Sequence, residues 1–507
     1  MLQLRLLGTV DVCGLSIKET VMTAGNAAVD PEAVLTAADQ IDNGPLTGHQ
    51  KSLIGLAVVG NIAEFFDIFL IGFVVSLLTK PWHLTGFEAG MILAATGVGT
   101  VIGAITWGRL ADHIGRRRTF FWCIVVLVVF TALSIGTPDR GWWFLAIMRV
   151  GTGIGVGGLS ITMIPYVQEF VPTKRRGLLA GLVSVFIPGG LLLGAQAQKW
   201  LGDDIGWRGM IALGCVPVLL LFWLRTVAES PRFLQSHGKS QEAKEAYAWA
   251  LQIPVTDVAP LPQASQKTNR QLSERAGAYQ VLFSKYRKQL AVVTIGTFCF
   301  ILGSFTIQSW GQTLLHDGFG YTAASVGTLF TWVSIADMVG RLGASWLADV
   351  IGRRWVLFGF GLLGAVGCLI AANATSGTPF FVGILLAMMF GDGAFGLLNT
   401  FGAEQFPNEA RSTGIGLGYG IGAVGKVIGP ILMSALIGGS VIKQNVTLDA
   451  VPPAFYLFAA LFLIGGIAYL FARETRAISL EDAATTTGAA AENTSASSRR
   501  SQVEPGI

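Results

Sequence analysis

The chain has 507 residues and a formal net charge of +4, with 52% hydrophobic and only 13% charged residues. Soluble globular proteins carry about 25% charged residues, so this composition, with its mean hydropathy of +0.58, excludes a soluble multidomain fold. The small net charge gives no footprint for a nucleic-acid partner.

Residues 1–50 contain no apolar run long enough to span a bilayer. The opening MLQLRLLGTV is too short for a signal peptide and lacks a cleavage site, so 1–50 reads as an N-terminal cytoplasmic segment without fixed structure. Met22 is a second candidate start. A spanning helix needs ~20 mostly apolar residues, and the sequence predicts twelve: 53–78, 87–107, 119–137, 142–168, 178–199, 207–227, 289–313, 322–347, 355–374, 379–402, 412–438 and 453–472. A polar segment, 228–288, rich in Lys, Glu, Gln and Pro, divides them into bundles 51–227 and 289–474. The end, 475–507, becomes rich in Ala, Thr and Ser and reads as a disordered tail. Cys123, Cys215, Cys299 and Cys368 lie in apolar stretches and Cys13 stands alone. No CxxC pair or His/Cys cluster predicts a metal site.

Short-loop Lys and Arg set orientation. One side holds Arg109, Arg116, Arg117, Arg118, Lys174, Arg175, Arg176, Arg353, Arg354 and Arg411. The other holds Lys80, Arg140, Lys199, Arg208 and Lys443. The excess predicts both termini in the cytoplasm.

The halves repeat. GRLADHIGRRR (Gly108 to Arg118) matches SWLADVIGRRW (Ser345 to Trp355), and EFVPTKRRG matches EQFPNEARSTG. Asp112 and Asp349 are 237 residues apart, and Glu169 and Glu404 are 235 apart. Two motifs at nearly one offset indicate a duplicated six-helix unit. Transporters are commonly built from such repeats, with the substrate site between them.

GRLADHIGRR, PYVQEFVPTKRRG, AESPRFL, EQFPNEARSTG and RETRAISLED resemble motifs of the major facilitator superfamily, in its branch of sugar porters and metabolite:proton and aromatic-acid:proton symporters. The resemblance covers about residues 53–480. It implies an all-α membrane protein of twelve transmembrane helices in two six-helix pseudo-repeats. It further implies a monomeric secondary transporter in the plasma membrane (the inner membrane of a Gram-negative bacterium), working by alternating access. Small molecules and protons are then its cargo and the proton gradient its energy source, with no cofactor. The sugar porters' QQ…GxN pattern is replaced here by GSFTIQSWGQTLL, and Pro188-Gly189-Gly190 lacks the Gly-Pro core of drug exporters.

Charges at membrane depth cost ~2.5–3.5 kcal/mol each on insertion scales and are functional by default. Glu64 and Asp67 share one face of the first span. The resemblance makes Asp67 the proton carrier and Arg149, at the start of the fourth span, its partner. Glu64 is either a second proton site or a polar group satisfied by a neighbouring helix. Lys426 in the eleventh span is a candidate carboxylate anchor, and Asp392 in the tenth is either its structural partner or part of the same site. Gln308, Trp310, Gln312, Gln196 and Trp332 are candidate pocket residues. Gly108, Asp112, Gly115, Arg116, Arg117, Glu169, Arg176, Asp349, Gly352, Arg353, Arg354, Glu404 and Arg411 belong to the repeated motifs and read as inner gates, with Asp112 capping a facing helix. The resemblance adds Glu229 and Arg232, and Asp337 with Arg341 reads as a second gate network.

No GxxxxGK[ST] loop supports ATP-driven transport, and no nucleophile–base pair supports an enzyme. The leading expectation is proton-coupled import of an organic carboxylate. Alternatives are a sugar, polyol or sugar acid as substrate, uncoupled uniport or exchange, drug export, or a membrane sensor.

Overall fold

The computed structural model describes residues 35–172, 185–262, 279–406 and 410–475. Among them the order is α1 (Ala37–Asn43), α2 (Gly48–Trp82), α3 (Gly86–Ile114), α4 (Arg116–Ile135), α5 (Trp142–Phe170), α6 (Ile187–Leu213), α7 (Leu220–Leu224), α8 (Pro231–Ser236), α9 (Ser240–Leu251), α10 (Arg287–Thr313), α11 (Ala323–Ile351), α12 (Arg353–Ala372), α13 (Gly377–Leu386), α14 (Phe395–Glu404), α15 (Arg411–Gly422), α16 (Gly425–Ile437) and α17 (Gln444–Leu470). Among the described residues ten helices are long and apolar enough to cross a membrane, and the bent run from Ile187 to Leu224 makes eleven if it is one span. Gly206 (φ +61°) breaks α6, so the predicted fifth and sixth spans share that run. The architecture is the all-α, two-bundle membrane fold expected.

Local chemistry sets the helix boundaries. Thr47 and Thr85 cap α2 and α3, each accepting from an amide three residues on while Gln50 or Glu88 reaches back to the cap amide. Gly115 (φ +100°) and Gly352 (φ +98°) make the turns into α4 and α12, a backbone region that glycine enters without penalty. Equivalent turns at equivalent motifs are the pseudo-repeat in three dimensions.

Three further features depart from the sequence expectations. Residues 36–50, placed in a segment without structure, form α1 and the start of α2. They dock on the central segment, where Thr47 donates to Ala250 O (2.6 Å) and His49 stacks on Trp249, and on the end of α5, where Gln50 donates to Phe170 O (2.7 Å). The Thr36 hydroxyl, and then its amide, hold the Asp39 carboxyl below its ordinary pKa at the start of α1. The last helix starts at Gln444, not at 453, and carries Pro452 and Pro453 inside it; prolines are tolerated in membrane helices when neighbours satisfy the freed carbonyls. Finally, π-helical turns run over Leu314–Gly318 and Ala387–Asp392, and neither has a sequence signature. The expected tail falls outside the described residues from 476 onward, as do Cys13 and Met22.

Helices α3 and α5 cross at backbone contact. A Cβ on Gly99 would lie 2.1 Å from Val150 O, and one on Gly157 2.2 Å from Thr100 O, the close approach that small residues four apart permit. The bundles touch on one face, at the end of α2 away from Thr47. There Thr79 Oγ1 donates to Asp317 Oδ2 (2.7 Å), Ile442 N to Leu84 O (2.8 Å) and Gly86 N to Ser440 O (3.2 Å), and Thr85 bridges Val441. Gly90 packs against Ser434. These contacts seal that face.

Candidate functional site

In the N-terminal bundle, α2 and α5 bring together three of the predicted ionisable groups. Asp67 is fully buried and Arg149 is 1% exposed. Arg149 Nη2 donates to Asp67 Oδ2 at 2.6 Å and to Asp67 O at 3.1 Å, Nη1 donates to Oδ1 at 3.2 Å, and Nε donates to Thr96 Oγ1 at 3.3 Å. One turn earlier on α2, Glu64 accepts from Ser160 Oγ at 2.5 Å, and Asn61 donates to that hydroxyl at 3.1 Å. Both acids therefore face α5, as their spacing requires.

Between the bundles lies a cavity of about 50 Å³, lined by Phe65, Phe69, Ile187, Ile301, Ser304, Phe305, Gln308, Arg341, Asp392, Phe395, Asn399, Tyr419 and Lys426. A water needs ~10–15 Å³ of such space, so this volume holds a few waters. Lys426 makes no ion pair among the described residues; its ammonium lies 5.8 and 5.9 Å from the Phe65 and Phe305 ring centroids. The Ser304 hydroxyl is buried without a hydrogen-bond partner.

Of the predicted pocket residues, Lys426, Asp392 and Gln308 line this cavity and four do not. Trp310 is 1% exposed and donates through Nε1 to Pro430 O at 3.3 Å, so it packs α10 against α16. Gln312 is buried beside Gly72. Gln196 donates to Thr331 across the bundle interface and accepts from Trp200. Trp332 is 57% exposed, on the outside of the bundle. Lys426 and Asp392 are not a pair: Asp392 bonds Arg341, which also donates through Nε to Asp337 Oδ1 at 3.1 Å. Asp337 and Arg341, read as gate residues, thus sit beside the cavity. Reading every third or fourth residue from Gln308 or Asp392 would have reached Ser304, Phe305, Phe395 and Asn399; the aromatic wall from α2 carries no such marker.

The repeated motifs hold helices together within each bundle. Arg116 pairs with Asp112 (3.1 Å) and more loosely with Glu169 (3.9 Å). Glu169 also accepts from Ser230 Oγ. Glu229 Oε1 accepts from Arg117 N at 2.9 Å, so the acid at the start of α4, where the helix dipole favours one, is Glu229 and not Asp112. The C-terminal bundle repeats the device with Glu474, a residue the sequence reading passed over, which accepts from Arg353 N and Arg354 N at 3.1 and 3.2 Å. Arg353 also pairs with Glu404. Gly108 lies on α3 beside Ile161. Asp349 and Arg232 are exposed, and they and Arg411 make no ion pair among the described residues. Arg176 lies outside the described residues.

The sugar (and other) transporter family matches residues 53–486. The chain belongs to this family. It is 26% identical over 447 residues to the niacin transporter NiaP of Acinetobacter baylyi, covering 87% of this chain and 98% of that one. It is 27% identical over 427 residues to a gallate transporter of Pseudomonas putida, covering 82% and 91%. It is 25% identical over 413 residues to the 4-hydroxybenzoate transporter PcaK of A. baylyi, covering 80% and 89%. Its fold matches the inward-open xylose transporter XylE of Escherichia coli with a TM-score of 0.65 at 18% identity, over 86% of this chain and 99% of that one. A partially occluded inward-open form gives 0.63 at 20% identity, over 85% and 99%. The protein is therefore a multi-pass membrane transporter of small molecules with the major facilitator fold, and not an enzyme.

Proposed function

We propose that this transporter imports an aromatic carboxylate with protons by alternating access, with both termini in the cytoplasm. The observation that carries the reading is the Lys426 ammonium, without a carboxylate partner among the described residues, on a cavity walled by Phe65, Phe69, Phe305, Phe395 and Tyr419. In low dielectric an ammonium attracts a carboxylate strongly, and the rings offer faces to an aromatic body. Ser304, Gln308 and Asn399 supply hydrogen bonds for ring substituents. Relatives named for niacin, gallate, benzoate and 4-hydroxybenzoate support the same class.

Asp67 is the proton carrier in this reading. Arg149 balances its charge in the closed pair, and a shift of α2 against α5 that lengthens the pair lets it take up a proton. The sealed face is then the outer one, and the substrate leaves toward the termini.

The test is a ligand-induced thermal shift on purified protein, because a ligand that binds the folded state stabilises it by mass action. The panel holds benzoate, nicotinate, 4-hydroxybenzoate, aliphatic carboxylates, xylose and polyols. A shift with an aromatic carboxylate that disappears in Lys426→Ala is expected. A shift with a neutral sugar, unchanged by Lys426→Ala, would overturn the reading in favour of sugar transport through Gln308 and Asn399.

A further inference from the structure

The C-terminal bundle sets two carboxylates against one guanidinium at membrane depth. Asp337, Arg341 and Asp392 are 1%, 3% and 5% exposed. Arg341 bonds both acids, so two carboxylates converge on one guanidinium. One guanidinium balances one carboxylate, and a second unpaired charge is strongly disfavoured in a dry interior. The cluster must therefore hold a proton or draw on another cation.

The other cation on the same cavity wall is Lys426. The Phe395 ring faces Arg341 at 5.7 Å. Across the bundle interface the titratable neighbour is Glu64, bonded by Ser160 and within electrostatic reach of Lys426. Two further observations point to a ligand here. Asp392 ends a π-helical turn, a distortion that recurs at functional sites. The buried Ser304 hydroxyl on the same wall has no partner.

We infer that Asp337, Arg341 and Asp392 form a second proton-binding site, loaded while a carboxylate substrate occupies Lys426 and emptied when it leaves. The inference rests on the symport reading above. In the loaded state the substrate carboxylate pairs with Lys426, and the cluster keeps one proton and is neutral. When the carboxylate departs, the Lys426 charge is free to balance the second aspartate. The cluster's proton then leaves for water. The coupling is reciprocal: a bound carboxylate tightens the proton, and the proton tightens the carboxylate. Each transported carboxylate then carries one proton from this cluster besides the one on Asp67.

The experiment is the limiting accumulation of benzoate (with nicotinate and 4-hydroxybenzoate as further probes) in proteoliposomes, under imposed pH gradients with the membrane potential clamped at zero. Two-proton coupling makes the accumulation ratio follow the square of the proton ratio; one-proton coupling makes it follow the first power. The wild type is expected to follow the square and Asp392→Asn the first power, with a thermal unfolding midpoint close to that of the wild type as the sign that the variant is folded. Asp337→Asn is a second, independent variant with the same expectation. A wild type that follows the first power overturns the second site while leaving symport standing. A square dependence that survives Asp392→Asn and Asp337→Asn but is lost in Glu64→Gln moves the second proton to Glu64 and also overturns it. A wild type that accumulates none of the probes on a proton gradient overturns the symport reading and this inference with it.

Discussion

Replacing Arg149 by methionine removes four hydrogen bonds at once: two to the Asp67 carboxylate, one to its carbonyl and one to Thr96. Asp67 is left fully buried, with only the Thr131 hydroxyl at 3.5 Å. Breaking a buried pair by removing one partner costs about 3–5 kcal/mol, most of it the penalty of the stranded charge. Arg149→Met is therefore expected to lower stability by that amount, and Asp67→Asn with Arg149→Met to recover a large part of it, because the double variant strands no charge. Arg208→Met is the control: its pair with Asp139 is exposed on both sides, and such pairs contribute at most about 1 kcal/mol. Thermal unfolding in one detergent ranks the variants. If Arg149→Met unfolds within the range of Arg208→Met, or if the double variant is less stable than the single, the pair is not the buried ionic contact described.

Three further outcomes follow from the structure. Asp67→Asn is expected to abolish proton-driven accumulation while preserving substrate exchange; accumulation at the wild-type level would remove Asp67 from the proton path. Cysteines at Thr85 and Val441, which bridge the bundles on the sealed face, are expected to crosslink on oxidation and stop transport until reduced, whereas continued transport by the oxidised protein would show that this face need not open. Gly115→Ala meets both a positive φ and Glu229 Oε2 at 2.6 Å, so folded yield is expected to fall well below that of Gly343→Ala, where a Cβ meets nothing within 4 Å. Equal yields would show that the turn tolerates a side chain.

The fold and the site differ in how far they can be read from residues alone. Apolar length and the Asp-Gly-Arg-Arg repeat are properties of the chain, and the repeat reappears as matching glycine turns at Gly115 and Gly352. The Asp67–Arg149 contact was legible through the family resemblance, which pairs an acid of the first span with an arginine at the start of the fourth. The direction of an uncharged side chain was not legible. Lipid-facing and core-facing surfaces of these helices are both apolar, so Trp332 and Trp310 look alike in sequence although one is on the outside and the other is buried. The same ambiguity hid Phe65 and Phe69. Depth left Asp392 open as a partner of Lys426, but α11 packs against the π-helical turn that carries Asp392, and Arg341 bonds it instead. Gln196 and Gln312 were polar groups in apolar spans like Gln308, and only packing separates the one that reaches the cavity.

The central claim is that an aromatic carboxylate and protons cross together. Uptake of labelled benzoate, nicotinate and 4-hydroxybenzoate into proteoliposomes, with the medium acidic outside and a protonophore added midway, tests it most directly. The account predicts that at least one of the three accumulates above equilibrium, that the protonophore discharges it, and that Lys426→Ala abolishes it. Accumulation that ignores the protonophore, or uptake of xylose with none of the carboxylates, would contradict it.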